Sequence, residues 1–202
     1  MSEENNQNSV CIKKTVACLN VVPVKISSDI RFNYDYESCE LTIGTIANNY
    51  LVGHCAVYDR STSFSIRDVN QINEFKVTKV GFDDYLQIKV NGHVLYVGPD
   101  GGDQLTVKPI QQATFSKSTK DNSATHAVAM VYNGIDYKSC ERGADSIRAV
   151  DIDLKPLLVS GNNMIDTRVI VGGSGEGWLK IIATGNYCDE YEVHLSGVNE
   201  LI

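Results

Sequence analysis

The chain has 202 residues, is 43% hydrophobic and carries a formal net charge of −7. That length suits one β-sandwich, or one sandwich with a small appendage, and the apolar fraction can fill a sizeable core. The negative balance argues against a nucleic-acid partner and against a polybasic membrane contact, both of which need clustered Lys and Arg.

In chain order, Ser2–Ser9 is polar and acidic, so residues 1–10 read as a disordered N-terminus without a secretion signal. No apolar run approaches the roughly 18 residues of a spanning helix. From Cys11 the pattern is one of short strands. Leu41–Ile43 and Thr62–Ile66 alternate apolar with polar, and Glu74–Val80 does so until Lys79–Val80 breaks phase, as at a bulge. Leu86–Val90, Asn91-Gly92 and His93–Val97 predict a hairpin with a type I′ turn. Its alternation points Leu86, Ile88 and Val90 inward and leaves Gln87 and Lys89 in water.

Gly98–Asp103 reads as a loop. Leu105–Lys117 and His126–Tyr132 predict two strands joined by the polar stretch Ser118–Thr125. Ala149–Leu154 alternates again and stops at Pro156, and residues 155–163 read as a turn followed by a Gly/Asn reversal. Met164–Val171 and Trp178–Ala183 predict a last strand pair, with Gly172–Gly177 as a glycine-rich hairpin turn. Many short strands between turn signals indicate an all-β fold, an antiparallel β-sandwich. It is expected to occupy residues 11–195 as one domain with a tail at 196–202.

Six cysteines stand at Cys11, Cys18, Cys39, Cys55, Cys140 and Cys188. No CxxC spacing occurs, so zinc is not expected and the six are disulfide candidates, which implies an oxidising compartment. Six cysteines allow 15 pairings; Cys39 with Cys55, flanking one predicted hairpin, is a weak preference. Disulfide-type cysteines without an export signal lead us to expect a piece of a longer secreted protein. The alternative is a cytosolic chain with six free thiols.

Candidate catalytic groups do not assemble in the sequence. Gly172–Gly177 is followed by strand-like Trp178-Leu-Lys-Ile-Ile rather than a phosphate-binding helix. Asp83, Asp84, Asp100, Asp103, Asp151 and Asp153 offer carboxylates but no motif, and leave a calcium site open. The histidines at 54, 93, 126 and 194 are scattered, and Trp178 reads as core or sheet packing. No enzyme activity, metal or cofactor is therefore expected. The segment Leu105–Tyr137 lacks a core pattern, and an aromatic on a loop of a rigid sandwich is a common recognition device.

Two segments carry a resemblance. Phe82–Pro99 and Val150–Ile165 are similar to the Asp-Asp/Asn-Gly hairpin and the later Pro-x-Leu/Gly-x-Asn turn of galactose-binding-like jelly rolls. Cys39–Gly44, Gly53–Tyr58, the Asp83-Asp84 hairpin, Lys138–Gly143 and Val171–Trp178, in that order, resemble the TraN family, the mating-pair stabilisation proteins of conjugative plasmid transfer by type IV secretion. The resemblance implies a projecting tip domain at the extracellular face of the donor outer membrane. Other conjugation-apparatus proteins would be met through a cysteine-rich base domain that these residues lack. The implied partner is a recipient outer-membrane β-barrel protein, porin-like or of the OmpA or OmpW type. No catalytic residue is implied.

Residues 105–137 interrupt the shared pattern and are expected to form an inserted receptor-reading hairpin. Its tip would be Thr114, Phe115, Ser116, Lys117, Ser118, Thr119, Lys120, Asp121, Asn122, Ser123, Ala124 and Thr125. The alternative function is a carbohydrate-binding module of a secreted or cell-surface protein; a glycan hydrolase is a third.

Overall fold

The computed structural model describes residues 13–26, 29–48, 55–83, 85–98, 111–117, 124–132, 135–137, 146–171 and 174–188. Among them the strands are β1 (Lys14–Cys18), β2 (Val21–Lys25), β3 (Ile30–Asp35), β4 (Glu40–Asn48), β5 (Cys55–Ile66), β6 (Ile72–Phe82) and β7 (Tyr85–Val90). There follow β8 (His93–Gly98), β9 (Gln111–Lys117), β10 (Ala124–Tyr132), β11 (Ile135–Tyr137), β12 (Ser146–Asp153), β13 (Gly161–Val171) and β14 (Ser174–Cys188). The described helices are two single 3-10 turns, Val69–Gln71 and Lys155–Leu157.

Among the described residues all ladders are antiparallel, and they make two sheets. Sheet A runs β12-β6-β14-β4-β3 with β1 also on β14; sheet B runs β11-β10-β5-β13-β7-β8 with β2 on β5 and β9 on β10. The expected antiparallel β-sandwich is what forms.

Its core is filled by the inward half of each alternation. Leu41 and Ile43 of β4, Phe75, Val77 and Val80 of β6, and Leu179 and Ile181 of β14 face Phe64 and Ile66 of β5, Leu86 and Ile88 of β7, and Ile165 and Val169 of β13. The rings of Phe64 and Phe75 stack at 5.8 Å. Thr45 and Thr167 share a buried hydroxyl–hydroxyl bond of 2.6 Å between β4 and β13.

The phase break in β6 is a bulge. Lys79 pairs with Lys180 but Val77 pairs with the next residue, Ile181, so Thr78 is the extra residue. Removing one residue from the count lets Val77 and Val80 both point inward.

The β7–β8 hairpin turns at Asn91 (φ 48) and Gly92 (φ 85), the two positive values that a type I′ turn needs. Asn91 also locks this turn to the Gly/Asn reversal: its Nδ2 donates to Leu157 O (2.8 Å) and Asn163 Oδ1 (2.9 Å), and its Oδ1 accepts from Met164 N (2.8 Å).

Two expectations are corrected. The last two strands do not pair with each other: β13 lies in sheet B and β14 in sheet A. The described part of the glycine-rich stretch, Ser174–Gly177, is therefore the first part of β14, paired with β4 in sheet A, and not a hairpin turn. Apolar alternation fixes which side of each strand is inward but cannot tell a neighbour in the sheet from one across the core.

Cys39 bonds Cys18, not Cys55. The hairpin that would have set Cys39 beside Cys55 does not form, because β4 lies in sheet A and β5 in sheet B. Cys18 and Cys39 have Cα atoms 4.9 Å apart because β1 and β4 lie end to end along one side of β14: Cys18 is opposite Thr184 and Glu40 opposite Ile182.

The residue between them, Ala183, bonds both flanks, accepting from Leu19 N at 3.0 Å and donating to Cys39 O at 2.9 Å. The Tyr34 hydroxyl bridges Leu19 O and Ala183 O at 2.8 and 3.0 Å, and burial pushes its pKa above the usual phenol range. Cys188 is also disulfide-bonded; Cys11 and Cys140 lie outside the described residues.

The Cys18–Cys39 bridge closes a loop with a sequence separation of 21. Replacing both cysteines by serine is expected to cost about 3 kcal/mol, mainly by freeing the unfolded chain. Thermal denaturation should show Tm lowered by roughly 6–12 °C.

Candidate functional site

Within residues 105–137, β9 and β10 pair antiparallel as a hairpin. Lys117 pairs with Thr125, Ser116 with His126 and Phe115 with Ala127. Thr114, Phe115, Ser116 and Lys117 thus lie on β9, and Ala124 and Thr125 on β10. Ser118, Thr119, Lys120, Asp121, Asn122 and Ser123, like residues 105–110, lie outside the described residues.

The hairpin is an extension of sheet B rather than a separate appendage. Ala124–Ala127 pair with Tyr58–Cys55 of β5. The rest of β10, 128–132, continues beyond the start of β5, where it pairs with β9 and β11. Five extended residues reach about 17 Å. The two ends of β10 therefore differ in setting: Ala124 lies opposite Tyr58 of β5, and Met130–Tyr132 pair with β11.

Where β10 stops pairing, the outward face of β5 begins a polar lattice with β13 and β7. One cross-strand row is Asp59, Arg168 and Gln87; the next is Ser61, Asp166 and Lys89. Arg168 grips Asp59 with Nε at 2.6 Å and a terminal nitrogen at 2.7 Å. That paired bond raises the guanidinium pKa above its ordinary value, against the opposing pull of burial. Ser61 Oγ donates to Asp166 Oδ1 at 2.5 Å. These side chains line a cavity of about 220 Å³.

Gln87 departs from its expectation. Alternation places it correctly on the side away from sheet A, yet it is 2% exposed rather than in water. The neighbouring outward row, Tyr85, Ile170 and Val57, is buried as well, so this part of the outer face is itself covered. Alternation reports which face a residue takes and carries no information about a second layer on that face. Among the described residues Gln87 Nε2 has no hydrogen-bond partner. An unmade bond to a buried donor costs about 1–3 kcal/mol, so this group lowers stability unless something fills the need.

The other candidates disperse. Asp151 pairs with Lys76 at 2.5 Å, and Asp153 accepts from Lys155 N at 3.0 Å in a turn. Asp83 packs against Gly175, whereas Asp84, Asp100 and Asp103 lie outside the described residues. His93 is exposed beside the Asn-Gly turn. Among the described residues no group of His, Cys, Asp or Glu is placed to hold a metal, and no helix is long and apolar enough to cross a membrane.

Trp178 is not a core residue. It points outward from sheet A, registered between Gly44 and Gly81, and its indole lies where a Cβ on Gly81 would come within 2.2 Å. It therefore packs on the sheet surface, beside Ile147, which is 67% exposed on the edge strand β12.

No family model, curated protein or solved structure matches the chain.

Proposed function

We propose that this chain is the recipient-recognition tip of a conjugative mating-pair stabilisation protein. On this reading it stands at the extracellular face of the donor outer membrane and binds a porin-like β-barrel on the recipient without catalysing a reaction. The observation that carries the reading is the β9–β10 hairpin, built by backbone ladder onto β5 at Ala124–Ala127. A strand pair anchored in a sheet can present its connecting residues to the loop-rimmed mouth of a barrel, or pair with an exposed edge there, at little entropic cost. The order of residue patterns from Cys39 to Trp178 agrees with that assignment.

The test is retention of detergent-solubilised outer-membrane proteins from several enterobacterial recipients on the immobilised chain. A second arm carries Thr114–Thr125 replaced by a short Asn-Gly turn. One β-barrel protein is expected to be held by the intact chain and lost with the replacement, while circular dichroism of the two remains the same. A β-barrel held equally by both would remove the hairpin from the site; none held by either would overturn the reading.

A further inference from the structure

We infer that the cavity on the outer face of sheet B is a binding site for a carboxylated sugar unit, of the uronic-acid type. This inference stands apart from the choice of protein receptor, since it rests on different strands and on side chains outside the hairpin.

The lattice contains both satisfied and unsatisfied groups, and the difference defines the ligand. Asp59 is taken by the two-pronged bond from Arg168, and Asp166 Oδ1 by Ser61 Oγ. On β7, by contrast, Gln87 Nε2 is buried and without a partner among the described residues, and Lys89 makes no ion pair among them. Gln87 and Lys89 are two residues apart on one strand face, about 7 Å. The open groups on this strand are thus two donors, one neutral and one cationic. The second oxygen of Asp166, opposite Lys89 in the same row, provides an acceptor.

A ligand that answers all three needs an acceptor for Gln87, a negative charge for Lys89 and a hydroxyl donor for Asp166. A carboxylated pyranose has these on one ring. A neutral sugar lacks the charge, and a simple carboxylate lacks the ring hydroxyls. A buried amide is a costly way to line a cavity that serves no ligand, because an apolar side chain of the same length would leave no donor unmade. Burial also makes each polar contact there count for more than at an open surface.

The experiment uses the full chain and four probes, glucuronate, galacturonate, glucose and acetate, followed by isothermal titration and by amide shifts on β5, β7 and β13. Binding of at least one uronate in the millimolar range or tighter is expected, with glucose and acetate at least tenfold weaker. Gln87→Met is expected to weaken the uronate at least tenfold and, at the same time, to raise Tm by a few degrees, about 2–6 °C. Lys89→Met should remove the preference for uronate over glucose while leaving Tm within about a degree.

Opposite movement of affinity and Tm in Gln87→Met separates a ligand group from a structural one, which would lower both. No uronate binding by the intact chain, or equal binding by the intact chain and Gln87→Met, overturns the inference. Equal affinity for acetate and uronate would show a bare anion site and overturn the sugar assignment.

Discussion

Gly177→Val is expected to be among the most damaging single changes in the chain. Gly177 is buried on β14 and registered between Thr45 of β4 and Phe82 of β6, on the side that faces sheet B. A Cβ there would come within 2.5 Å of Val169 Cγ2 and 2.8 Å of Leu86 Cδ1. Those atoms belong to the opposite layer, so the two sheets would have to separate locally or the side chains leave their rotamers. Overpacking of this kind costs about 3 kcal/mol, which lowers Tm by roughly 6–12 °C in a domain of this size. Urea denaturation followed by tryptophan fluorescence reads it as a lower midpoint at unchanged slope. The mechanism has its own check: Gly177→Ala combined with Val169→Ala should cost less than the sum of the two single changes, because the second removes the atoms that the first strikes. Strict additivity would put the cause elsewhere.

Asn163 carries the second large effect. It is 1% exposed, and its amide works as a clamp: Oδ1 accepts from Val159 N (2.9 Å) and Asn91 Nδ2 (2.9 Å), while Nδ2 donates to Val159 O (2.8 Å) and Gly161 O (3.1 Å). This one side chain fixes the reversal into β13 and ties it to the Asn-Gly turn of the neighbouring hairpin. Asn163→Ala leaves these groups without partners in a buried place and is expected to cost about 3 kcal/mol, read by thermal or urea denaturation. Asn163→Asp is expected to be destabilising in a pH-dependent way. Two carbonyl oxygens face the position now held by Nδ2, so they favour a protonated carboxyl and raise its pKa in the folded state. Its contribution is then present at low pH and lost as pH rises through the folded pKa, so the variant should recover toward pH 4. A variant equally unstable at pH 4 and pH 8 would mean that the carbonyls do not set its protonation.

These two residues show which parts of the molecule were open to sequence reading. The Asn91-Gly92 turn, the alternation of β7, and the break in β6 were legible because each is a local event with its own residue signature. The reversal at Gly161–Asn163 was legible as a turn, although the tie from Asn163 to Asn91 joins residues 72 apart and leaves no local trace. Gly177 was read with its glycine neighbours as part of a hairpin turn, because composition marks loops and cannot mark a close approach between layers. The Cys18–Cys39 pairing depended on β1 and β4 meeting end to end along β14, a consequence of strand order alone.

The candidate site was legible in part for the same reason. A hairpin in residues 105–137 followed from two strand-like segments around a polar connection, and β9 and β10 pair antiparallel. The lattice of Asp59, Ser61, Gln87, Lys89, Asp166 and Arg168 draws on three strands that are far apart in the chain. Of the six, only Gln87 and Lys89 were placed by the alternation, both as solvent-facing positions. Only the register shows that two rows of such positions become neighbours, and only the covering of Tyr85, Ile170 and Val57 shows that this face is partly closed.

The end-to-end arrangement of β1 and β4 also sets how the domain would transmit a pull. Tension that enters at Lys14 and runs along β1 reaches Cys18 and crosses the covalent bridge directly to Cys39 at the head of β4. β4 is an interior strand, held by β3 on one side and β14 on the other, and its bonds to both would be loaded in shear along their whole length. Residues 19–38, including β2 and β3, lie off that load path. With both cysteines replaced, the same pull would pass through that segment and peel its bonds one after another.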